Sequence, residues 1–186
     1  WYQKGRRMLI ACNNGDLLSW DLNREELRKV QKLGARALAV SVAPNDTSYA
    51  VGLSDGTVQL HYTDNNYTTL NVGNAGVEYV KFDPTGSIMA AAGWDRKIRL
   101  YAINRTEENP IVIDEHDVRA LSINFAPKTF YTLCRDNKIR FWKLYPEDYA
   151  RMLAKEIKDN FSPKEWDYYI GDDIDYRKTL KQFGDE

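Results

Sequence analysis

The sequence is poor in the residues that bind metals or form disulfides. It has two cysteines and two histidines among 186 residues. Cys12 and Cys134 occupy the same position in non-adjacent copies of a sequence repeat, so we expect them to lie too far apart for a disulfide. Four scattered ligands without paired spacing exclude a zinc site. We predict no metal, and we interpret both cysteines as small buried apolar residues.

Long apolar runs and an excess of one charge are also missing. No stretch reaches the roughly 20 apolar residues of a membrane span, and no signal peptide pattern lies near the start. Basic and acidic residues number 26 and 27, with a net charge of −1. This balance, together with the lack of a nucleic-acid-binding motif, argues against nucleic acid as a partner. The composition predicts a globular cytoplasmic protein.

Catalytic motifs are absent as well. The sequence contains no glycine-rich phosphate loop and no Gly-x-Ser-x-Gly elbow. Asp83, Asp114 and Asp117 are carboxylates in its middle part, but no spacing pattern brings them together. We therefore predict that the chain is not an enzyme, that it has no catalytic residues and that it needs no cofactor.

What the sequence does contain is a repeat of about 40 residues. Each copy has a turn-forming Asn or Asp, an aliphatic residue three positions later and a ring six positions later. The turn residues are Asn14, Asp55, Asp95 and Asp136, at intervals of 41, 40 and 41. The aliphatic residues are Leu17, Val58, Ile98 and Ile139, and the rings are Trp20, His61, Tyr101 and Trp142. Because three positions recur in phase, each copy is interpreted as one structural unit.

Short strands fill each period of the repeat. Residues 49–53 and 57–62 flank a Ser-Asp-Gly turn, which predicts a β-hairpin. Residues 24–33 have the charge and spacing of a helix, but the position of residues 27–33 in the repeat favours an outer strand, on which lysines discourage pairing with other molecules. Several short strands in about 40 residues are typical of a β-propeller blade.

The repeat resembles the WD-repeat β-propeller family over residues 1 to about 144. The fourth copy follows the family pattern best, because it has His116, Asp136 and Trp142 at the corresponding positions. The resemblance implies that these three residues, together with Thr132, form a hydrogen-bonded network from a loop to the indole. In that family the network is structural and not catalytic.

The predicted fold is all-β, a partial WD-repeat β-propeller of about 3.5 to 4 four-stranded blades followed by a short α-helical tail. We place the repeats near 1–33, 34–73, 74–114 and 115–144, and a tail that packs on the propeller at 145–186. The first blade is expected to lack most of its inner strand. So few blades do not close a ring, which favours the C-terminal part of a longer protein; the alternative is that a second copy completes the ring.

The tail has the pattern of two helices. The first is predicted from about residue 146 to 158, with its apolar stripe at Tyr149, Met152, Leu153 and Ile157. The second begins with a capping box formed by Ser162 and Glu165, with Pro163 in its first turn, and Gly171 is placed to end it. Phe161 and Trp166 are spaced as a hydrophobic staple.

The tail also resembles the ending of many bacterial multidomain WD-repeat proteins. The shared features are a Glu-Trp pair at 165–166 and Tyr-Arg-Lys-Thr at 176–179, although Leu180 stands where those proteins commonly have cysteine. Such proteins often carry a signal-transduction NTPase or effector module ahead of the propeller. The resemblance implies a sensor or scaffold at the end of a bacterial signalling protein.

The predicted binding surface lies on loops at one end of the blades, where partners of such propellers often bind. The candidates by position are Arg36, Ser54, Trp94, Arg119 and Arg135. Trp94 is singled out because a large ring in a tight turn suits neither turn chemistry nor an inner strand. We expect a protein or peptide partner. Two alternatives remain, that Trp94 folds onto a neighbouring blade and that the chain associates with itself.

Overall fold

Strands make up the first part of the chain, and two helices follow them. The computed structural model describes residues 4–62, 66–114, 117–156, 159–171 and 173–178. By its internal contacts the chain forms two compact units, Trp1–Trp142 and Lys143–Glu186. No helix in these described ranges has the length and apolar character needed to cross a membrane.

The strands form four antiparallel sheets, each built from consecutive strands, which we number as blades 1 to 4. Blade 1 contains β1 (Arg7–Ala11), β2 (Asp16–Asp21) and β3 (Glu26–Lys32). Blade 2 contains β4 (Ala37–Val42), β5 (Ser48–Leu53), β6 (Thr57–Tyr62) and β7 (Tyr67–Asn71). Blade 3 contains β8 (Val77–Phe82), β9 (Ile88–Gly93), β10 (Ile98–Ala102) and β11 (Ile111–Ile113), and blade 4 contains β12 (Ala120–Ala126), β13 (Thr129–Cys134) and β14 (Ile139–Lys143). The predicted fold, a partial propeller of about four blades with a helical tail, is confirmed.

The blades differ in strand number. Blades 2 and 3 have four strands, whereas blades 1 and 4 have three within the described ranges. By its place in the repeat, blade 1 has no counterpart of the inner strand β4 there, and blade 4 has no counterpart of the outer strand β7. The segment with helical spacing is the strand β3, as its position in the repeat predicts.

Four turns of the same design join the second and third strands of the repeat. In each, an Asn or Asp side chain accepts a hydrogen bond from the backbone N–H two residues later, at 2.9 to 3.2 Å. The next residue has a positive φ in every turn: Gly15 83°, Gly56 88°, Arg96 67° and Asn137 60°. Glycine suits this backbone conformation, so Arg96 is the exceptional member.

The blades pack face to face in a repeating order. We call the sheet face that carries the aliphatic position face A, and the opposite face, with the ring position, face B. Face A of blade 1 packs on face B of blade 2, joining Leu17 to Val51 in one buried cluster. Face A of blade 2 packs on face B of blade 3, joining Leu60 to Met89 and Tyr101 in another. Burial between blades therefore explains why the three sequence positions recur in phase.

The second unit contains α1 (Pro146–Glu156) and α2 (Pro163–Tyr169). The predicted capping box of α2 is confirmed, because the Glu165 N–H donates to Ser162 Oγ at 3.3 Å and the Ser162 N–H donates to Glu165 Oε2 at 2.9 Å. Gly171 follows the helix with φ 120°. The predicted stripe residue Ile157 lies outside the described residues.

Trp166 holds this second unit together. Its side chain is buried, its Nε1–H donates to the Ile174 carbonyl at 2.7 Å, and the Tyr176 ring meets it edge-on at 5.8 Å. The Phe161 ring, predicted as a staple partner of Trp166, stacks on Tyr169 with centroids 5.8 Å apart. Aromatic contacts thus help to hold a helix that is too short to be stable by itself.

Candidate partner-binding surface

The predicted surface residues lie in loops that are joined by one repeated hydrogen bond. The N–H of Ser54 donates to the carbonyl of Arg36 at 2.9 Å, and the N–H of Arg135 donates to that of Arg119 at 3.0 Å. In blade 3 the same bond runs from Trp94 to Gly76 at 3.0 Å. We call the end of blades 2 to 4 that these loops form the loop face; it comprises residues 33–36, 54–56, 73–76, 94–97, 114, 117–119 and 135–138.

Trp94 projects from the loop face beside residues without bulky side chains. Its side chain is 42% exposed. Gly76 stands where blades 2 and 4 have arginines, and a Cβ on Gly93 would meet the Gly76 carbonyl oxygen at 2.5 Å. The two glycines therefore let the turn of Trp94 approach the neighbouring loop closely. Trp94 lies outside the buried core.

The carboxylates of this end of the molecule are largely neutralised by neighbouring cations. Asp95 pairs with Arg99 at 2.7 Å, and Lys97 pairs with Asp114 at 2.6 Å. Asp136 accepts two hydrogen bonds from Arg140, at 2.8 and 3.1 Å. These bonds hold the pKa of Asp136 at about 2, well below its ordinary value, although partial desolvation opposes them.

Several cations of the loop face have no carboxylate partner among the described residues. Arg36, Arg135 and Lys138 are exposed and lie in no ion pair there. Arg96 is also exposed, and its Nη1 donates to the backbone carbonyl of Asp117 at 3.1 Å. Arg119 pairs only loosely, with Nη1 3.7 Å from Glu78 Oε2.

Two exposed carboxylates of the loop face likewise have no cation partner among the described residues. Within the described ranges, Asp55 accepts hydrogen bonds only from Thr57, and Asp117 lies in no ion pair. The four unpaired cations exceed these two carboxylates, so the described part of the face keeps an excess of positive charge. Arg96 and Lys138 are not among the candidates predicted from the sequence. Arg96 directly follows the turn residue Asp95, and Lys138 stands two positions after the turn residue Asp136.

The predicted structural network is partly visible. Trp142 Nε1 donates to the fully buried Thr132 Oγ1 at 3.2 Å, and Cys134 Sγ lies 3.6 Å from the same oxygen. The described partners of the Asp136 carboxylate are Arg140 and the Lys138 N–H. His116 lies outside the described residues. The full course of the network therefore stays a prediction.

His61 replaces tryptophan in blade 2 and links two blades. The ring is only 4% exposed and is stacked between Tyr49 and Tyr67, with centroids 4.7 and 5.2 Å away. Its Nε2 lies 3.3 Å from Gln59 Oε1 and 3.4 Å from Nε2 of Gln31, which belongs to blade 1. Burial lowers the pKa of His61. This histidine is a packed, hydrogen-bonded core residue.

Tyr101 replaces tryptophan in blade 3 without a polar partner. Its side chain is 4% exposed, and its hydroxyl makes no hydrogen bond within the described residues. Burial raises the pKa of Tyr101, with a smaller opposing effect of Arg99.

Side chains that could bind a metal ion do not converge in the described ranges. No three histidine, cysteine, aspartate or glutamate side chains there are placed to hold a metal ion. Cys134 is fully buried and Cys12 is half-buried, and both are free thiols.

Two comparisons with known proteins found sequences that are similar to parts of this chain. Residues 66–102 match the family model described as WD domain, G-beta repeat. They run from the outer strand of blade 2 to the third strand of blade 3. The chain is also similar to the mouse guanine nucleotide-binding protein subunit beta-like protein 1, with 26% identity over 138 residues. These matches support the WD-repeat family. The compared segment is 74% of this chain but 37% of that relative, so the chain spans about a third of the relative's length.

Proposed function

We propose that this chain is a non-catalytic scaffold or sensor that binds a protein or peptide on its loop face. The observation that carries the proposal is Trp94, a large ring left 42% exposed in a turn that needs no ring for folding. Tryptophan and arginine are the residues most often found as anchors of interfaces. WD-repeat proteins generally act as scaffolds for protein interactions, which supports the same function here.

The construction of the loop face suits binding. Its turns are held by the repeated backbone hydrogen bond and by Asx-type side-chain bonds, so little backbone entropy is lost when a partner docks. The ring can bury its exposed part against the partner, while the surrounding arginines donate hydrogen bonds at the rim.

The proposal includes the setting of the protein. The tail resembles the endings of bacterial multidomain WD-repeat proteins, which supports a role as the C-terminal part of a bacterial signalling or effector protein working in the cytoplasm. In such a protein the loop face would detect the partner, and the attached module would respond.

The test is a selection of dodecapeptides from a random display library on the whole chain, followed by affinity measurements with Trp94→Ala. We expect the selected peptides to bind this variant at least about tenfold more weakly, which is about 1.4 kcal/mol. Its free energy of unfolding should change by less than about 0.5 kcal/mol, because the ring is outside the core. Tyr168→Ala removes an 81% exposed ring from the tail and should leave affinity unchanged.

Trp142→Ala should change the stability of the fold, unlike Trp94→Ala. Its indole donates to buried Thr132 and its ring stacks on Phe130, so we expect unfolding to become easier by about 3–5 kcal/mol. If no peptide is enriched, or if the enriched peptides bind Trp94→Ala as well as the wild type, the loop face is not the binding site.

A second candidate function is self-association, and a specific observation favours it. On face A of blade 4, Ile139 is 56% and Phe141 75% exposed, whereas Val58 and Leu60 at the same positions of blade 2 are fully buried. Single proteins in water seldom leave such a contiguous apolar face open. Face B of blade 1 in a second copy has the same repeat positions that cover face A inside this chain.

A further inference from the structure

We infer that the loop face selects an acidic peptide, in which an apolar residue contacts Trp94 and a carboxylate on each side meets the arginines of the neighbouring blades. This inference rests on the proposed function and names the chemistry of the partner at the same site.

The order of the blades places cations on both sides of Trp94. Trp94 and Arg96 belong to the turn of blade 3, Arg36 to the loop before the inner strand of blade 2, and Arg135 and Lys138 to the turn of blade 4. The inner strands β4 and β12 both contact β8, so blade 3 lies between the other two. A ligand centred on the ring therefore meets positive charge in either direction.

The distance between neighbouring blades sets the distance between the apolar residue and the carboxylates of the ligand. Packed sheets lie about 10 Å apart, and an extended chain advances about 3.3 Å per residue. One blade step thus corresponds to about three residues. The preferred peptide has an apolar residue at its centre and a carboxylate about three positions away on each side.

The ion pairs determine which sign of charge remains unpaired on the loop face. Asp95, Asp114 and Asp136 are already occupied by Arg99, Lys97 and Arg140. Among the described residues, the cations Arg36, Arg96, Arg135 and Lys138 keep free N–H donors, against the two unpaired carboxylates of Asp55 and Asp117. An acidic peptide gains Coulomb energy from this excess at close range, and the gain falls as salt screens it.

The backbone conformation of Arg96 also supports an acidic ligand. It has φ 67° at the turn position where blades 1 and 2 have glycine. A residue with a Cβ is disfavoured there, so the turn itself gains nothing from arginine. The Arg96 guanidinium bonds one carbonyl oxygen and keeps further donors available for a ligand.

Nucleic acid is the rival ligand for a cationic face. The chain has a net charge of −1, and along the sequence Asp55 and Asp117 separate the unpaired cations Arg36, Arg96 and Arg135. Strong binding to phosphate backbones needs several cations in succession. A peptide with separated carboxylates fits this arrangement better.

The experiment uses three fluorescent nonapeptides with phenylalanine at the centre and either glutamate, glutamine or lysine three positions to each side. A single-stranded DNA 20-mer is the fourth probe. Affinities for the whole chain are measured by fluorescence polarisation at about 50 mM and about 500 mM salt. We expect the glutamate peptide to bind at least about tenfold more tightly than the glutamine peptide at low salt, with most of this preference lost at high salt.

The variants are chosen to separate charge from fold. Arg36→Gln with Arg135→Gln should reduce the preference for glutamate to within about twofold. The matched control, Arg24→Gln with Lys128→Gln, removes two cations from turns that join other strand pairs, at the opposite end of the blades, and should leave the preference intact. Melting temperatures of both double variants should match the wild type.

Each other outcome has one meaning. Equal binding of the glutamate and glutamine peptides, abolished by Trp94→Ala, overturns the acidic partner and leaves the proposed function standing. If the DNA binds more tightly than the peptides and its binding depends on Arg36 and Arg135, the inferred acidic peptide is wrong and nucleic acid is the ligand. If none of the nonapeptides binds, the charge of library peptides that depend on Trp94 decides: acidic sequences support the inference, and neutral or basic ones overturn it. A library without Trp94-dependent peptides overturns both proposals.

Discussion

The ring position of the repeat shows how one site accepts different side chains through different partners. Trp142 donates a hydrogen bond to Thr132, whereas His61 lies within hydrogen-bond distance of Gln31 and Gln59. Tyr101 is as deeply buried as His61, but its hydroxyl has no hydrogen-bond partner within the described residues. Apolar packing is therefore the shared requirement, and the polar contact differs from blade to blade.

Tyr101→Phe should stabilise the protein. The change removes a buried hydroxyl that makes no hydrogen bond in the described ranges, and such a group costs about 1 kcal/mol or more. We expect urea unfolding to require about 1 kcal/mol more free energy, without a change in the slope of the transition. Trp142→Phe is the matched control and should lose about 1 kcal/mol, because Thr132 then lacks its indole donor. A destabilised Tyr101→Phe would show that the hydroxyl has a partner.

His61 should make stability depend on pH in the weakly acidic range. Burial lowers the pKa of His61 in the folded state, so the unfolded chain takes up the proton first. The contribution of neutral His61 to the free energy of unfolding is complete above the unfolded pKa of about 6.5 and is lost as the pH falls below that value. We expect the free energy of unfolding to decline from pH 7 to pH 5, and His61→Gln to flatten this decline.

Asp136 provides an internal comparison for that titration. The pKa of Asp136 is lowered to about 2, so its contribution is complete above its unfolded value of 3.8 and is lost as the pH falls from there toward 2. Asp136→Asn should therefore leave the pH 7 to 5 profile unchanged. A profile that is as steep in His61→Gln as in the wild type would assign the effect to other groups.

At the scale of the element, helix α2 shows how a short helix is fixed by its ends. Seven residues are too few for a helix to be stable by propensity alone. The capping box satisfies N–H groups at its start, and the Ile170 N–H donates to the Trp166 carbonyl at 2.8 Å near its end. Trp166 then ties the helix to the segment around Ile174.

Ser162→Ala should loosen α2 specifically. The loss of the side-chain acceptor costs about 1 kcal/mol, which corresponds to roughly fivefold faster amide exchange if the helix opens locally. Hydrogen exchange measured by mass spectrometry over residues 163–169 checks this expectation. Ser162→Asp keeps an acceptor and should exchange nearly as slowly as the wild type. Equal exchange in Ser162→Ala would mean that the Trp166 contacts hold the helix without the cap.

At the scale of the whole molecule, the place of a blade in the series decides what its residues do. Leu100 in blade 3 is 5% exposed, and Phe141 at the equivalent position of blade 4 is 75% exposed. The local strand pattern is the same in both blades. Only the presence of a following blade makes the position part of the core.

If face A of blade 4 binds a second copy, the molar mass should depend on concentration. We expect sedimentation equilibrium of the chain to give 21.5 kDa at low concentration and a rising average at high concentration. Ile139→Lys with Phe141→Lys should stay monomeric while keeping the wild-type melting temperature, because both side chains are exposed. Tyr168→Lys, a change on the tail, should associate as the wild type does. A constant monomer mass for the unchanged chain would rule out self-association.

Much of this fold could be predicted from the sequence because its signals are local and repeated. The phase of Asn14, Asp55, Asp95 and Asp136 defined the turns, and the spacing of Ser162 and Glu165 defined a helix start. Each signal depends on residues within one turn or hairpin, whose geometry the backbone sets directly.

Trp94 and its surroundings required the structure. The sequence singled out the ring, but its exposure and the close contact between Gly76 and Gly93, which meet where β8 begins and β9 ends, are visible only in the folded chain. Arg96 and Lys138 escaped notice for a related reason, because whether a cation is free depends on which carboxylates reach it.

The sequence by itself thus determined the repeat, the strand order and the helical tail. Only the tertiary structure decided which apolar faces are covered, which charges are paired and which ring remains available to a partner. The physical reason is that secondary structure follows from hydrogen bonds and periodicity along the chain, whereas burial and ion pairing depend on side chains brought together from different blades.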